Sequence, residues 1–451
     1  MSDNQALSEE LIALLQCPLT QRDLSHLGVE LSCADGEITY PLIEGVPWLL
    51  PNPQNSLADW SAKLNHFGQV LLSEIKTAES NIKHAEGESK KRFELLLNAK
   101  QNFLKRVAEL LMPLLHSSNA SKNIYDALRD RAPNTQNLLS YEANLYRDWV
   151  WGEEENNLTA DMISNLLQPE QCNKLLVLGA GAGKLALDLH EAWQAKLCVA
   201  TDINPLLVLA ANYLLKNKSL PFVEFPSQPR RLEYSAVEYD IQGRERPDNF
   251  FFMFADATKP CFKAGAFDTV VTPWFIDIQP LEFGKFLRQL NHYLPIGGQW
   301  INFGSLVFNQ KRDALCYSLE EVKEIALKQG FEIKSIEEKE VPYLKSPYNA
   351  GHRVENVWLW RAEKIADTKT LNNPQVLAPW LLDLTQAIPK AQYIEQFAFT
   401  HRVYAQLAAE VDGKTSINKI AKKIAKQNRL EEREALHLVN EFFIDLYRQN
   451  H

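Results

Sequence analysis

LLVLGAGAGKLALDL occupies residues 175 to 189, and the fold turns on how its glycines are read. Gly179, Gly181 and Gly183 separate a short apolar run from a stretch with helical periodicity, so the segment reads as strand, tight turn and helix. Such a turn lets the backbone approach a ligand closely and aims helix N–H groups at it. A P-loop needs four residues between its first Gly and the Gly-Lys pair, then Ser or Thr. Here three residues separate Gly179 from Gly183, and Leu185 follows Lys184. The dinucleotide fingerprint needs a glycine where Lys184 stands. What remains is G-x-G-x-G after one strand and an acid, Asp202 in CVATDIN, at the end of the next. Asp202 lies nineteen residues past Gly183, well placed to accept both hydroxyls of a ribose.

Working outward, LCVATD, FFFMFAD and FDTVVTPWFID repeat the buried-strand pattern between residues 171 and 305, separated by helical stretches or a longer insertion. Repeated strand and helix units predict an α/β fold, a Rossmann-like, mostly parallel sheet with helices on both faces. The strand starting at Thr269 reads as running to Ile276 and delivering Asp277 to its C-terminal end; Asp256 closes the strand before it. In open parallel sheets such strand ends face one ligand crevice. QWINFGSL and VENVWLWRAE read as later strands, with a helix at residues 318–329 between them.

The glycine turn together with Asp202 and Asp256 resembles the S-adenosylmethionine-binding fold of class I methyltransferases, in which the acid matching Asp256 holds the adenine amino group. A closer resemblance is to the carnosine N-methyltransferase family. It is carried by NLYRDWVWGEEENN, LLVLGAGAGKLALDL, VVTPWFIDIQ, and GGQWINFGSLVF followed by SLEEVKEIALKQGFEI, over roughly residues 140 to 362. The resemblance implies S-adenosyl-L-methionine as cofactor and N-methylation of an imidazole or histidine-like group in a small molecule, peptide or protein. It implies Arg147, Gly179, Gly181, Gly183, Asp202 and Asp256 as cofactor-binding residues. It implies Asp277 as the catalytic and substrate-binding carboxylate that holds the acceptor imidazole. Where the family has a substrate-binding His this chain has Asn309, and His352, Arg353 and Val354 stand where the family has tyrosines. Asn309 is therefore a second substrate-binding candidate, and a degenerate methyltransferase-fold scaffold that recruits partners is the alternative reading.

Residues 141–364 are thus expected to form the methyltransferase domain. Residues 1–53 read as a small β-rich module. LLQCPLT, LSC and YPLIEGVPWLLP resemble the zinc-ribbon-like methyltransferase-activator family, but only Cys17 and Cys33 are kept, too few for a tetrahedral zinc site. Residues 54–140 read as helical and residues 380–451 as a small helical module resembling winged-helix, peptide-binding ones. Its Lys414, Lys419, Lys422, Lys423, Lys426 and Arg429 form a basic run with no acid among them. That run suits an acidic peptide, protein or nucleic-acid partner, or simply a solvated helix face.

Composition sets the bounds. The 451 residues predict two or three domains, with 45% hydrophobic and 23% charged side chains. The net charge of −9 argues against nucleic acid or a membrane surface as the global partner. Six scattered cysteines without a C-x-x-C pair, and an N-terminus unlike a signal peptide, predict a cytoplasmic protein.

Overall fold

The computed structural model describes residues 7–33, 36, 38–51, 53–117, 138–308, 315–368, 380, 383–390, 407–428 and 430–450. The chain divides into two compact units, one of residues 1–53, 68–117 and 138–370, the other of residues 54–67, 118–137 and 371–451.

The first unit opens with α1 (Glu9–Leu14), capped by the Ser8 hydroxyl, which accepts the Leu11 N–H at 3.1 Å. A meander follows: β1 (Leu24–Leu27), β2 (Glu30–Cys33), β3 (Thr39–Ile43) and β4 (Val46–Leu49). After α2 (Pro53–His84), whose residues 54–67 count with the second unit, and α3 (Gly87–His116), α4 (Ala143–Tyr146) runs into a π-turn (Arg147–Trp151) and α5 (Glu153–Ser164). Next come β5 (Lys174–Leu178), α6 (Lys184–Trp193), β6 (Leu197–Asp202) and α7 (Pro205–Leu214). The antiparallel pair β7 (Leu220–Glu224) and β8 (Val237–Ile241) precedes β9 (Phe250–Ala255) and β10 (Thr269–Pro273). The unit ends with α8 (Phe283–Tyr293), β11 (Gln299–Gly304), α9 (Leu319–Lys328), β12 (Phe331–Tyr343) and β13 (Arg353–Lys364).

Eleven strands form one sheet in the order β1-β2-β3-β4-β9-β6-β5-β10-β11-β13-β12. Its centre, from β4 to β11, is parallel throughout; the strands at either side are antiparallel. Leu175 to Leu178 are all buried, as are Phe250 to Ala255, which is why these strands read as unbroken apolar runs. One face, with Leu176, Val199 and Met253, packs on α8 through Phe286, Leu287 and Leu290. The alternate residues face α6 and α7: the Cys198 thiol lies 3.8 Å from Ala186 O, and the His190 and Phe250 rings are 6.0 Å apart. The chain steps outward from β5 to β6 and β9 on one side, and to β10 and β11 on the other. The order therefore reverses between β5 and β10, where an open α/β sheet forms its ligand crevice.

Three features depart from the sequence expectation or were missed by it. The strand expected to reach Ile276 stops at Pro273, because Trp274 turns left-handed at φ 51°. β12 went unread because its Glu and Lys residues dilute the apolar pattern; they suit an edge strand, where charge discourages further pairing. The N-terminal strands extend the main sheet: β4 pairs with β9 in parallel, and Trp48 packs on Phe254 with ring centroids 4.7 Å apart.

The second unit has its own core. Ile417, Ile420 and Ile424 of α10 (Ile417–Asn428) meet Val439 and Phe443 of α11 (Glu432–Asn450) and Trp380. The Asp412 carboxylate closes the turn before α10, accepting the N–H groups of Lys414 and Thr415 at 2.8 and 2.6 Å. Lys419, Lys422 and Lys426 are exposed, while Lys423 pairs with Glu410 at 2.6 Å. Arg429 lies outside the described residues. Among the described residues no helix is long and apolar enough to cross a membrane.

Candidate active site

The crevice is built around the glycine turn. Gly179, Gly181 and Gly183 all have positive φ, at 67°, 58° and 82°. A Cβ on Gly179 would lie 2.4 Å from Phe275 Cδ2, and one on Gly183 would lie 2.4 Å from Phe252 Cε2. These two glycines thus let the turns after β5 and β10 close on each other and let α6 start against β9. Gly181 is different: the nearest side chain is Asn144, whose Nδ2 would be 3.7 Å from an added Cβ. Gly179→Ala combines a left-handed backbone with a clash and is expected to destabilise the protein by about 2–4 kcal/mol in chemical denaturation. A change under about 1 kcal/mol would mean the turn has slack that the packing does not suggest.

Asp202 does more than end β6. Its Oδ2 accepts the Gly181 N–H and its Oδ1 the Asn204 N–H, both at 2.9 Å. Burial pushes its carboxyl upward, against the pull of these backbone donors. Asp256, just past β9, accepts both the N–H and the hydroxyl of Thr258, at 2.8 and 2.7 Å. Both carboxylates stand at strand ends on the crevice rim and keep lone pairs for a ligand.

The segment before β5 lies over the turn. Gly152 N–H donates to Arg147 O at 3.0 Å, five residues back, which makes this a π-turn. A Cβ on Gly152 would sit 2.3 Å from that same oxygen, so the tight approach needs glycine. The π-turn aims Trp149 Nε1 at Ala182 O, 2.9 Å away in the glycine turn. The Arg147 guanidinium holds Asp148 Oδ1 through Nε and Nη2, at 2.8 and 2.7 Å, and its Nη1 lies 3.8 Å from Glu155. The backbone and charge of Lys184, at the start of α6, join Arg147 in drawing the Asp148 carboxyl down against its burial. Asn144, unremarked from the sequence, is brought in by one turn of helix ahead of Arg147. Its Oδ1 is buried and unpartnered in the structure, beside Gly181.

Asp277 sits on the turn four residues past β10, 4% exposed. Its Oδ2 accepts the Val307 N–H at 3.0 Å and the Ser305 hydroxyl at 3.4 Å, both just beyond β11. Among the described residues, Oδ1 accepts no hydrogen bond from another residue. Burial first, and the nearby Glu355 charge in addition, lift its carboxyl to about 6. The Trp274 ring meets Phe303 edge-to-face at 5.4 Å and Tyr343 at a tilt at 4.6 Å, and Phe275 packs toward Phe286 at 5.7 Å. The Arg353 guanidinium covers the Tyr343 ring at 4.8 Å and pairs with Glu355. Asn309 lies outside the described residues.

The two N-terminal thiols are close-packed and buried. Cys17 Sγ accepts the Thr20 N–H at 3.3 Å and lies 3.1 Å from the Tyr40 hydroxyl. Burial opposes ionisation of Cys17, but hydrogen bonds from Thr20, Tyr40 and Cys33 outweigh it and bring the thiol below its ordinary range. Among the described residues no three His, Cys, Asp or Glu side chains gather to hold a metal. The segment is expected to fold without zinc. Elemental analysis finding one zinc per chain, lost in the Cys17→Ser, Cys33→Ser double variant, would overturn this.

A glycine turn at the reversal point of a parallel sheet, ringed by strand-end acids, defines a class I S-adenosylmethionine-dependent methyltransferase. Asn144 Oδ1, a buried acceptor awaiting a donor over the most open glycine, fits the amino group that S-adenosylmethionine carries. The sequence model described as carnosine N-methyltransferase matches residues 128–363, and the chain belongs to that family. It is 22% identical over 331 residues to the carnosine N-methyltransferase of Dictyostelium discoideum, covering 62% of this chain and 70% of that one. Solved structures it resembles include an S-adenosylmethionine-dependent methyltransferase from Methanosarcina mazei, 15% identical over 45% of this chain and 97% of the other, TM-score 0.32. Another is the N-methyltransferase NodS from Bradyrhizobium japonicum, 13% identical over 48% and 97% of the two chains, TM-score 0.32.

Proposed function

We propose that this methyltransferase transfers a methyl group to a ring nitrogen of an imidazole, in a small histidine-like molecule, with Asp277 as the catalytic carboxylate. The observation that carries the reading is Asp277 itself: a buried carboxylate with Oδ2 pinned by Val307 and Ser305, and Oδ1 without a hydrogen bond from any other described residue. S-adenosylmethionine supplies an electrophilic methyl group on a sulfonium. An imidazole attacks through one bare nitrogen, so its other nitrogen must carry the proton. Asp277 Oδ1 accepts that N–H, fixes the tautomer and stabilises the positive charge that grows on the ring. Trp274 and Tyr343 wall this side, and Asn309 is assigned to it as a further contact. On the cofactor side, Asp202 takes the ribose hydroxyls, Asp256 the adenine amino group, and Arg147 the carboxylate through its Nη1 edge. Gly179, Gly181 and Gly183 give the backbone its close approach.

Ionised Asp277 is the working form, so kcat/KM for the acceptor is expected to fall with unit slope as pH drops below about 6. The linkage runs the other way for stability. A carboxyl raised in the folded state binds more protons there than when unfolded, so its contribution to stability grows as pH falls through about 6. kcat/KM for the acceptor, which reports the free enzyme's ionisations, measured between pH 5 and 8 and corrected for the acceptor's own protonation, checks the first statement. A profile flat to pH 5 would remove Asp277 from the acceptor.

Screening imidazole dipeptides, free histidine and histidine-containing acidic peptides for methyl incorporation tests the substrate class. Incorporation only into acceptors that lack an imidazole would sink it. Acidic peptides are included because the exposed Lys419, Lys422 and Lys426 of α10 suit an acidic peptide or protein segment. We assign the protein to the cytoplasm, residues 141–364 to catalysis, and the segments on either side to support and recruitment.

A further inference from the structure

Two anchors hold the chain immediately ahead of the π-turn across the crevice. The first is Asn204, fully buried, whose own N–H is held by Asp202 Oδ1. Its Nδ2 donates to Ser140 O at 2.9 Å and to Leu138 O at 3.4 Å, tying residues 138–140 to the end of β6. The second is Tyr146, whose buried hydroxyl donates to Val223 O at 2.5 Å; Asn144, two residues before it, lies beside Gly181. Tyr141 lies between them, and its carbonyl accepts the Asn144 N–H at 2.9 Å. Its φ is 64°, a left-handed conformation that tyrosine adopts only where its surroundings impose it. Both flanks are pinned, yet Tyr141 is 40% exposed. Burial raises its phenol, and the Asp202 and Asp277 charges raise it further, so the hydroxyl stands within the fields of both acids.

We propose that Tyr141 is a cofactor-covering residue whose ring closes over the methyl donor along the stretch between Asp202 and Asp277. The inference rests on the cofactor and acceptor assignments of those two acids given above. An aromatic face attracts a cation, more strongly when water is excluded. The methyl donor carries a sulfonium; the product, S-adenosylhomocysteine, is a neutral thioether. A ring over that position therefore favours donor over product and keeps water from the reacting atoms. The strained backbone is the cost of presenting a large side chain where a glycine would sit more easily.

Calorimetry on the full-length protein tests this, with S-adenosylmethionine and S-adenosylhomocysteine as the ligands. Tyr141→Leu keeps the backbone strain and removes the ring. It is expected to weaken S-adenosylmethionine binding about tenfold, and S-adenosylhomocysteine binding by less, with the loss in turnover assays falling on KM more than on kcat. Tyr141→Phe keeps the ring and should bind within about twofold of wild type. Tyr141→Asn, which tolerates the left-handed backbone, gives a second ringless variant should Tyr141→Leu fold poorly. Wild-type affinity in the ringless variants overturns the inference, and so does equal weakening in Tyr141→Phe, which assigns the effect to the hydroxyl. Asp202→Ala is measured alongside. If it weakens binding while the ringless variants do not, the covering role alone fails. If Asp202→Ala binds as wild type does, the placement of the cofactor fails instead.

Discussion

Asp277→Asn is expected to lower turnover a hundred- to a thousandfold, about 3–4 kcal/mol of transition-state stabilisation, while methyl-donor affinity stays within about twofold. The amide matches the carboxylate in shape, and its oxygen can still accept the Val307 N–H that now meets Oδ2. What it loses is charge. The group facing the acceptor becomes an amide that can offer N–H as readily as oxygen, so the wrong imidazole tautomer can be held. The cation developing on the ring then has no counter-charge. The variant should also be at least as stable as wild type near pH 7, because burial disfavours the ionised carboxylate. Loss of turnover without loss of Tm is the signature of a residue kept for chemistry at the expense of stability. Side-by-side turnover, calorimetry and thermal melts decide the matter. Equal turnover returns Asp277 to an ordinary turn residue, and turnover lost together with donor affinity moves it to the cofactor side.

Asp202→Ala is expected to weaken S-adenosylmethionine binding roughly five- to a hundredfold, about 1–3 kcal/mol, because buried ribose hydroxyls are left unpaired. The structure adds a second consequence. Asp202 also holds the Gly181 and Asn204 N–H groups, so its loss orphans two backbone donors and loosens the glycine turn. A stability loss of about 1–3 kcal/mol should accompany the loss of affinity. Asp202→Asn keeps an acceptor oxygen and should fall between alanine and wild type in both measurements. Unchanged binding in a folded Asp202→Ala variant would place the cofactor elsewhere.

Short-range pattern carried much of this architecture. Leu175 to Leu178 and Phe250 to Ala255 are apolar at every position because both faces of a parallel strand are buried, and that pattern survives in a linear chain. The spacing of Gly179, Gly181 and Gly183, and of Asp202 after them, is likewise local, set by what a turn and one strand-helix unit require. The capping box at Ser318 and Glu321 marks the start of α9 as plainly. β12 escaped because its apolar residues, Phe331, Ile333, Ile336 and Val341, are spaced irregularly among Glu and Lys, and the charges look like loop.

Only the tertiary structure decided what depends on groups distant in sequence. That β4 joins the sheet follows from backbone pairing with β9, some two hundred residues away, which leaves no side-chain signature. Asp277 was visible as an acid after a strand. Its isolation from water, and the Val307 and Ser305 donors that fix one oxygen and leave the other, come from β11 packing beside β10. Asn144 and Tyr141 could not be singled out at all. Their significance lies in Gly181 beneath one, and in Asn204 and Asp202 holding the turn that presents the other. The sequence by itself determined the central parallel strands, the glycine turn and the acids that follow those strands, because each rests on local backbone geometry and burial. Which side chains share the crevice, and which of their atoms remain free to bind, was decided by long-range packing, since only the folded chain brings those groups within reach of one another.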